Sequence, residues 1–199
     1  MKKNTDSKNH QEIRQEVDDF YNRVAASSKG VEVEPDSIYQ SLGFDESLLM
    51  ELPEDIRSGL SCGNPVEHLY VEEGDVILDL GCGMGLDVFM AKLKYPQAGM
   101  IYGVDKLPAM IQRAERARVY KKFEGIEFKQ GVLTDLPFLD QSIDRVISNC
   151  VINLEPDKQK VYEEIYRVLK PNGMFFISDI TLKKELSEEM RQQKDLYGS

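Results

Sequence analysis

Ile77-Leu78-Asp79-Leu80-Gly81-Cys82-Gly83-Met84-Gly85-Leu86-Asp87 is the stretch on which the reading of this chain turns. The run Val76 to Leu80 is apolar apart from Asp79, as a strand buried on both faces would be. Gly81, Gly83 and Gly85 follow at alternate positions, and from Leu86 the apolar residues return at helical spacing. Glycines are needed where a chain turns tightly and lets a ligand approach its backbone, and the helix behind the loop offers free N–H groups. The stretch therefore predicts a nucleotide-like ligand at a strand-to-helix turn.

Two details narrow that ligand. A dinucleotide fingerprint spaces its glycines G-x-G-x-x-G, whereas here the third glycine comes one residue early. Asp79, ahead of the loop, would repel a pyrophosphate but suits a cationic group. About 20 residues on, Asp105 ends the run Met100 to Asp105, the place from which a carboxylate accepts hydrogen bonds from ribose hydroxyls. Taken singly, the glycines could merely make a turn and Asp105 could cap the helix that begins at Pro108. In the order strand, loop, helix, strand, acid, the combination predicts a cofactor, and Asp79 favours S-adenosylmethionine over NAD. Asp87 has two readings that stay open, a cofactor contact or an acid that favours the helix N-terminus.

Working outward, Ile126 to Gly131, Ile143 to Asn149 and Gly173 to Ile180 also have strand character. Helical stretches are Leu86 to Lys94, Pro108 to Lys122 and Lys158 to Leu169, the last stopped by Lys170-Pro171-Asn172-Gly173. Their alternation predicts an α/β fold, a parallel sheet with helices on both faces and right-handed crossovers. Ahead of it, Ile13, Val17, Phe20, Tyr21 and Val24 predict one amphipathic helix laid on the domain. Residues 32–69 are broken by Pro35, Gly43, Pro53, Gly59, Gly63 and Pro65 into short helices and loops. The expected organisation is a helical cover over 1–70, a core over 71–180 and the start of a further helical region over 181–199.

At 199 residues, with 41% hydrophobic and 30% charged, the chain has the size and composition of one soluble globular domain. No apolar run suits a bilayer or a signal peptide, so the expectation is a cytoplasmic protein with no membrane partner. Acidic residues outnumber basic ones, 35 to 25, and a net charge of −10 argues against nucleic acid. Cys62, Cys82 and Cys150 are an odd number at wide spacing, so reduced thiols are expected rather than a disulfide framework. His10 and His68 lie outside the core motifs and are not expected to serve as bases. At Cys82 a small residue suffices. Cys62 lies in the turn Ser61-Cys62-Gly63-Asn64-Pro65. Asn149 and Cys150 stand at the carboxyl end of the fourth strand, where open α/β sheets bind their ligands. On spacing alone, Cys62 and Cys150 are either small packed residues or a soft ligand pair.

VILDLGCGMG, YGVD, LPF at 136–138 and RVLKPNGMFFISD resemble the class I S-adenosylmethionine-dependent methyltransferases over residues 71–180. The resemblance implies cofactor contacts from Asp79, Gly81, Gly83, Gly85, Asp105 and Asn149. Where that superfamily often has an acid near the adenine, this chain has Val132, so the base would be held by apolar contact and the Leu133 backbone. The methylene stem of Lys106 replaces the flat apolar residue common after the ribose acid. GLSCGNP and SNCVINLEPDK resemble the two cysteine motifs of the arsenite methyltransferase family, as do DFYNRVAASS, SLGFDE, LPEDIRSGL and ISDI.

This second resemblance implies that Cys62 and Cys150 are thiolate ligands of trivalent arsenic. The substrate would be arsenite or its thiol conjugate, with a thiol reductant as partner. The family's third arsenic-binding cysteine follows a segment like Leu196-Tyr197-Gly198, and the sequence here stops at Ser199. The expectation is a sheet lacking its C-terminal strands and that ligand, with an open edge as a route to self-association. Two other functions compete: methylation of another small molecule, and a non-catalytic module that binds cofactor or arsenic.

Overall fold

Val76–Leu80 forms the central strand, β1, and every residue after Val76 is buried, which explains a run apolar at every position but Asp79. The computed structural model describes residues 3–26 and 35–181. Helices α1 (Lys3–Ala26), α2 (Pro35–Ser41) and α3 (Glu46–Met50) precede β1. After it come α4 (Leu86–Lys94), β2 (Met100–Asp105), α5 (Pro108–Lys121), β3 (Ile126–Gln130), β4 (Ile143–Asn149), α6 (Lys158–Val168) and β5 (Leu169–Ser178). Local chemistry sets several boundaries: Asp45 accepts hydrogen bonds from the first N–H groups of α3, Asp157 does so for α6, and Pro108 opens α5.

All strand pairs are parallel, in the order β3-β2-β1-β4-β5. Alternate residues face opposite layers. Ile77, Ile101, Ile126 and Ile147 pack with Val88 and Phe89 of α4 and with Met110 and Ala114 of α5. Leu78, Leu80, Val104 and Val146 pack with Val161, Ile165 and Val168 of α6. Helices thus cover both faces, as expected. The chain starts in the middle of the sheet, travels outward to β3, then returns to the other side of β1 as β4. That reversal opens a crevice beyond the carboxyl ends of β1 and β4, where such sheets bind ligands.

The fifth strand needs correction. It runs from Leu169 to Ser178, not from Gly173 to Ile180, so the expected stop at Lys170-Pro171-Asn172-Gly173 lies inside it. The reason is a bulge: Ile143 pairs with Leu169, but Arg145, two residues on, pairs with Met174. Asn172 there has φ +67°, so the turn residues are absorbed within the strand. The helical segment expected over 181–199 lies outside the described residues. Among the described residues no helix is long and apolar enough to cross a membrane.

Candidate active site

A cavity of about 400 Å³ occupies the crevice, a size suited to a nucleoside-sized ligand. The loop after β1, the ends of β2 and β4 and the segment after β3 form its walls, and Arg14, Val17, Asp18 and Tyr21 of α1 line it from above. Asp79, Gly81, Gly83, Asp105, Lys106, Val132, Leu133, Asn149 and Cys150 all line it. Gly85 and Cys62 sit just outside, Gly85 as the residue preceding α4. The three glycines have φ of +63°, +52° and +89°, a conformation that side chains resist. At Gly83 an added methyl would meet nothing within 4 Å, so the backbone there is open to a ligand.

Of the two roles weighed for Asp105, the structure shows the cap, and it adds a brace to the glycine loop. Its Oδ2 accepts a hydrogen bond from the Gly83 N–H at 3.0 Å, bracing the loop, and its Oδ1 accepts one from the Leu107 N–H at 2.8 Å, capping the approach to α5. Burial pushes its carboxyl upward, and these two hydrogen bonds oppose the shift. Asp79 is raised well above the usual carboxylate range by burial, then by the charges of Asp87 and Asp105. Asp87 is pushed up to about 6 by burial, against a hydrogen bond from Asn149. Its Oδ2 accepts from Asn149 Nδ2 at 2.9 Å, while its Oδ1 is buried with no partner. The floor of the cavity is therefore an acid pair short of a cation.

Asn149 ties this floor to the first cysteine loop. Its Nδ2 also donates to the Gly63 carbonyl at 2.8 Å, and its Oδ1 accepts from the Cys62 N–H at 3.3 Å. Cys62 and Cys150 come together across 88 residues of sequence, with Cα atoms 5.9 Å apart. The loop and the end of β4 bring the two sulfurs into direct contact, so the pair is placed either to bridge or to share one soft ligand. Cys150 has φ +59°, a rare conformation for a side chain, and its N–H donates to the Ser178 carbonyl at 2.9 Å. Cys82 stays a packed residue; burial foremost raises its thiol well above the usual range. His68 is exposed on a short 3-10 turn, away from the cavity.

Three features escaped sequence reasoning. Asp179, just beyond β5, brings a carboxylate oxygen within 4.8 Å of both cysteine sulfurs. The α1 helix acts as a roof, tied by Arg14 to Glu155 at 2.6 Å and by Asp18 to Lys106 at 2.5 Å. Arg14 and Asp18 are four apart, a spacing that marks one helix face and could have flagged them. The amide of Asn149 works as a strut between Asp87 and the Cys62 loop, which no spacing reveals.

The methyltransferase-domain family matches residues 71–199. The chain belongs to that family. Among its relatives, the arsenite methyltransferase of Halobacterium salinarum is 36% identical over 156 residues, covering 78% of this chain and 40% of the relative. The arsenite methyltransferase of Rattus norvegicus is 34% identical over 201 residues, covering 94% of this chain and 53% of the relative. The solved structure of an arsenic(III) S-adenosylmethionine methyltransferase from Chlamydomonas reinhardtii is similar at a TM-score of 0.62 and 32% identity, covering 83% of this chain and 56% of that one. The chain thus spans about half the length of the curated relatives it matches. Its sheet is that of a class I methyltransferase, and the cofactor of the family is S-adenosylmethionine. The residues fit that group: an open glycine backbone at Gly83 and a buried Asp87 Oδ1 with no partner suit a nucleoside that carries positive charge.

Proposed function

We propose that this methyltransferase acts on trivalent arsenic held by the thiolates of Cys62 and Cys150. The observation that carries the reading is the approach of these two residues, Cα to Cα 5.9 Å, at the rim of a cavity lined by Asp79 and Asp87. Bound S-adenosylmethionine supplies a methyl group activated on a sulfonium. Asp79 and Asp87 balance the cofactor's positive charge, Asp105 accepts from its ribose hydroxyls, and Val132, Leu133 and the stem of Lys106 enclose its base. Asn149 holds Asp87 and the Cys62 loop in one arrangement.

A thiol reductant keeps Cys62 and Cys150 as thiols. Each thiol displaces one hydroxyl of arsenous acid as water, As(OH)3 + 2 RSH giving (RS)2AsOH + 2 H2O. Arsenic is soft and prefers sulfur, and the bound arsenic keeps the lone pair that attacks the methyl. No side chain needs to remove a proton at the transfer step, consistent with a cavity that no histidine lines. The protein's contribution is alignment and exclusion of water, at a near-attack separation of roughly 3 to 3.5 Å.

Titration of the reduced protein with arsenite, followed by mass or by tyrosine fluorescence, tests this. One arsenic per chain is expected, lost in Cys62→Ser and in Cys150→Ser, with cofactor binding unchanged in both. Unchanged arsenic binding in either variant would return the acceptor to another small molecule.

A further inference from the structure

Cys62, Cys150 and Asp179 come from three separate segments, yet their two sulfurs and a carboxylate oxygen all lie within 4.8 Å of one another. We propose that, once the cysteines are reduced, these three residues form a binding site for a divalent zinc ion that leaves a fourth position open. The proposal goes beyond the arsenic reading and does not depend on it.

The donor set, two sulfurs and a carboxylate, is one that zinc takes. Zinc takes thiolate sulfur at about 2.3 Å and carboxylate oxygen at about 2.0 to 2.2 Å in a tetrahedron, so its ligand atoms stand roughly 3.5 to 3.8 Å apart. A carboxylate oxygen of Asp179 stands within 4.8 Å of both sulfurs, and the sulfurs, in direct contact here, move apart to that spacing when they ligate. Asp179 is held ready to ligate, since its Oδ2 accepts from the Asn153 N–H at 3.0 Å and its Oδ1 from the Ile180 N–H at 2.9 Å. Those hydrogen bonds orient the carboxylate and leave each oxygen a free lone pair. The Cys62 loop is held through its backbone, the Cys62 N–H donating to Asn149 Oδ1 at 3.3 Å. Cys150 lines the cavity, so the fourth position faces it. Three ligands and one open position is also the pattern of zinc sites that exchange a small molecule.

Binding replaces two protons: Zn2+ + 2 RSH + RCOO− gives [Zn(SR)2(OOCR)]− + 2 H+. Affinity therefore rises with pH, and the metal-loaded pair is no longer available to a soft electrophile. Where arsenic uses the same thiols, zinc competes with it for them.

The test uses the full chain, reduced with a phosphine and freed of reductant under anaerobic conditions, with both thiols counted by a disulfide reagent. Cobalt(II) is the spectroscopic probe and zinc the competitor. The expected result is one cobalt per chain, with sulfur-to-cobalt charge-transfer bands and the d–d bands of a tetrahedral site, both abolished by zinc. Cys62→Ser and Cys150→Ser lose the charge-transfer bands. Asp179→Ala weakens zinc binding at least as much as the roughly 10- to 100-fold typical for loss of an outer-shell partner. Asp179→Asn, which keeps one backbone-accepting oxygen, does the same with circular dichroism unchanged. Full zinc affinity in both Asp179 variants overturns the site, as does the absence of charge-transfer bands in a protein with both thiols free. Arsenite added to the zinc-loaded protein is expected to release the metal. If zinc binds but arsenite does not release it, the arsenic reading fails while the zinc site stands.

Discussion

Gly81 and Gly83 share a left-handed backbone but not an environment. A methyl group at Gly81 would collide with Val151, whereas at Gly83 it would enter open cavity. Gly81→Ala therefore combines steric overlap with the left-handed strain and is expected to lower the melting temperature by several degrees. Gly83→Ala costs only about 1 kcal/mol of strain and should stay folded, yet its Cβ occupies the face offered to the cofactor. Thermal denaturation with calorimetric titration separates the two: cofactor affinity in Gly83→Ala falls tenfold or more, by roughly 1.4 kcal/mol. Undiminished affinity there would remove the glycine loop from the site. At this scale the residues themselves were legible, because a strand, three glycines and an acid follow one another in sequence. The left-handed Cys150 was not, since nothing in Asn149-Cys150-Val151 requires that conformation.

At the level of elements, α1 is joined to the core by two ion pairs that flank the cavity, Arg14 with Glu155 and Asp18 with Lys106. Partly exposed pairs of this kind are worth about 0 to 1 kcal/mol each, too little to hold the fold but enough to bias a roof. The double variant Arg14→Ala, Asp18→Ala should keep its melting temperature within a few degrees. Its cofactor should leave about fivefold faster, the equivalent of ~1 kcal/mol, in stopped-flow displacement. An unchanged dissociation rate would mean that the helix only covers the sheet. The helix was readable from Ile13, Val17, Phe20, Tyr21 and Val24, but its resting place was not, because periodicity reports one apolar face and not the surface that receives it. The extent of β5 was misread for a related reason: Pro171 and Gly173 are turn residues, and only pairing with β4 shows them inside a bulged strand.

For the whole molecule, the acid pair makes stability and function pull in opposite directions. Asp79 and Asp87 have carboxyls raised by burial, so the folded state holds protons that the unfolded state has lost. Their stabilising contribution is complete below the unfolded value near 4 and fades as pH rises through the folded value, about 6 for Asp87. The cofactor-free protein should therefore become more stable between pH 7.5 and pH 5.5, Asp87 alone contributing on the order of 1 kcal/mol. Glu164, held low foremost by its hydrogen bond from Arg167, acts in the opposite sense only at lower pH. Binding of the cationic cofactor favours the charged acids, so its affinity should weaken over the same descent in pH. Asp87→Asn is expected to raise the melting temperature at pH 7.5, lower cofactor affinity and flatten the pH dependence. Denaturation and calorimetry at the two pH values check all three, and a flat profile in the unsubstituted protein would refute the acid-pair account.

The amino-acid sequence by itself determined the strands and helices, their parallel arrangement, the glycine loop and the acids at the carboxyl ends of β1 and β2. Each is encoded by residues near one another in the chain, through periodicity, turn chemistry and capping. Tertiary structure alone decided that β4 returns beside β1, and with it every contact across the crevice: Cys62 with Cys150, Asn149 with Asp87, Asp179 beside both sulfurs and α1 overhead. Those contacts join residues as much as 141 positions apart, as in Arg14 with Glu155. Their energies depend on burial and approach, which exist only once the sheet has formed.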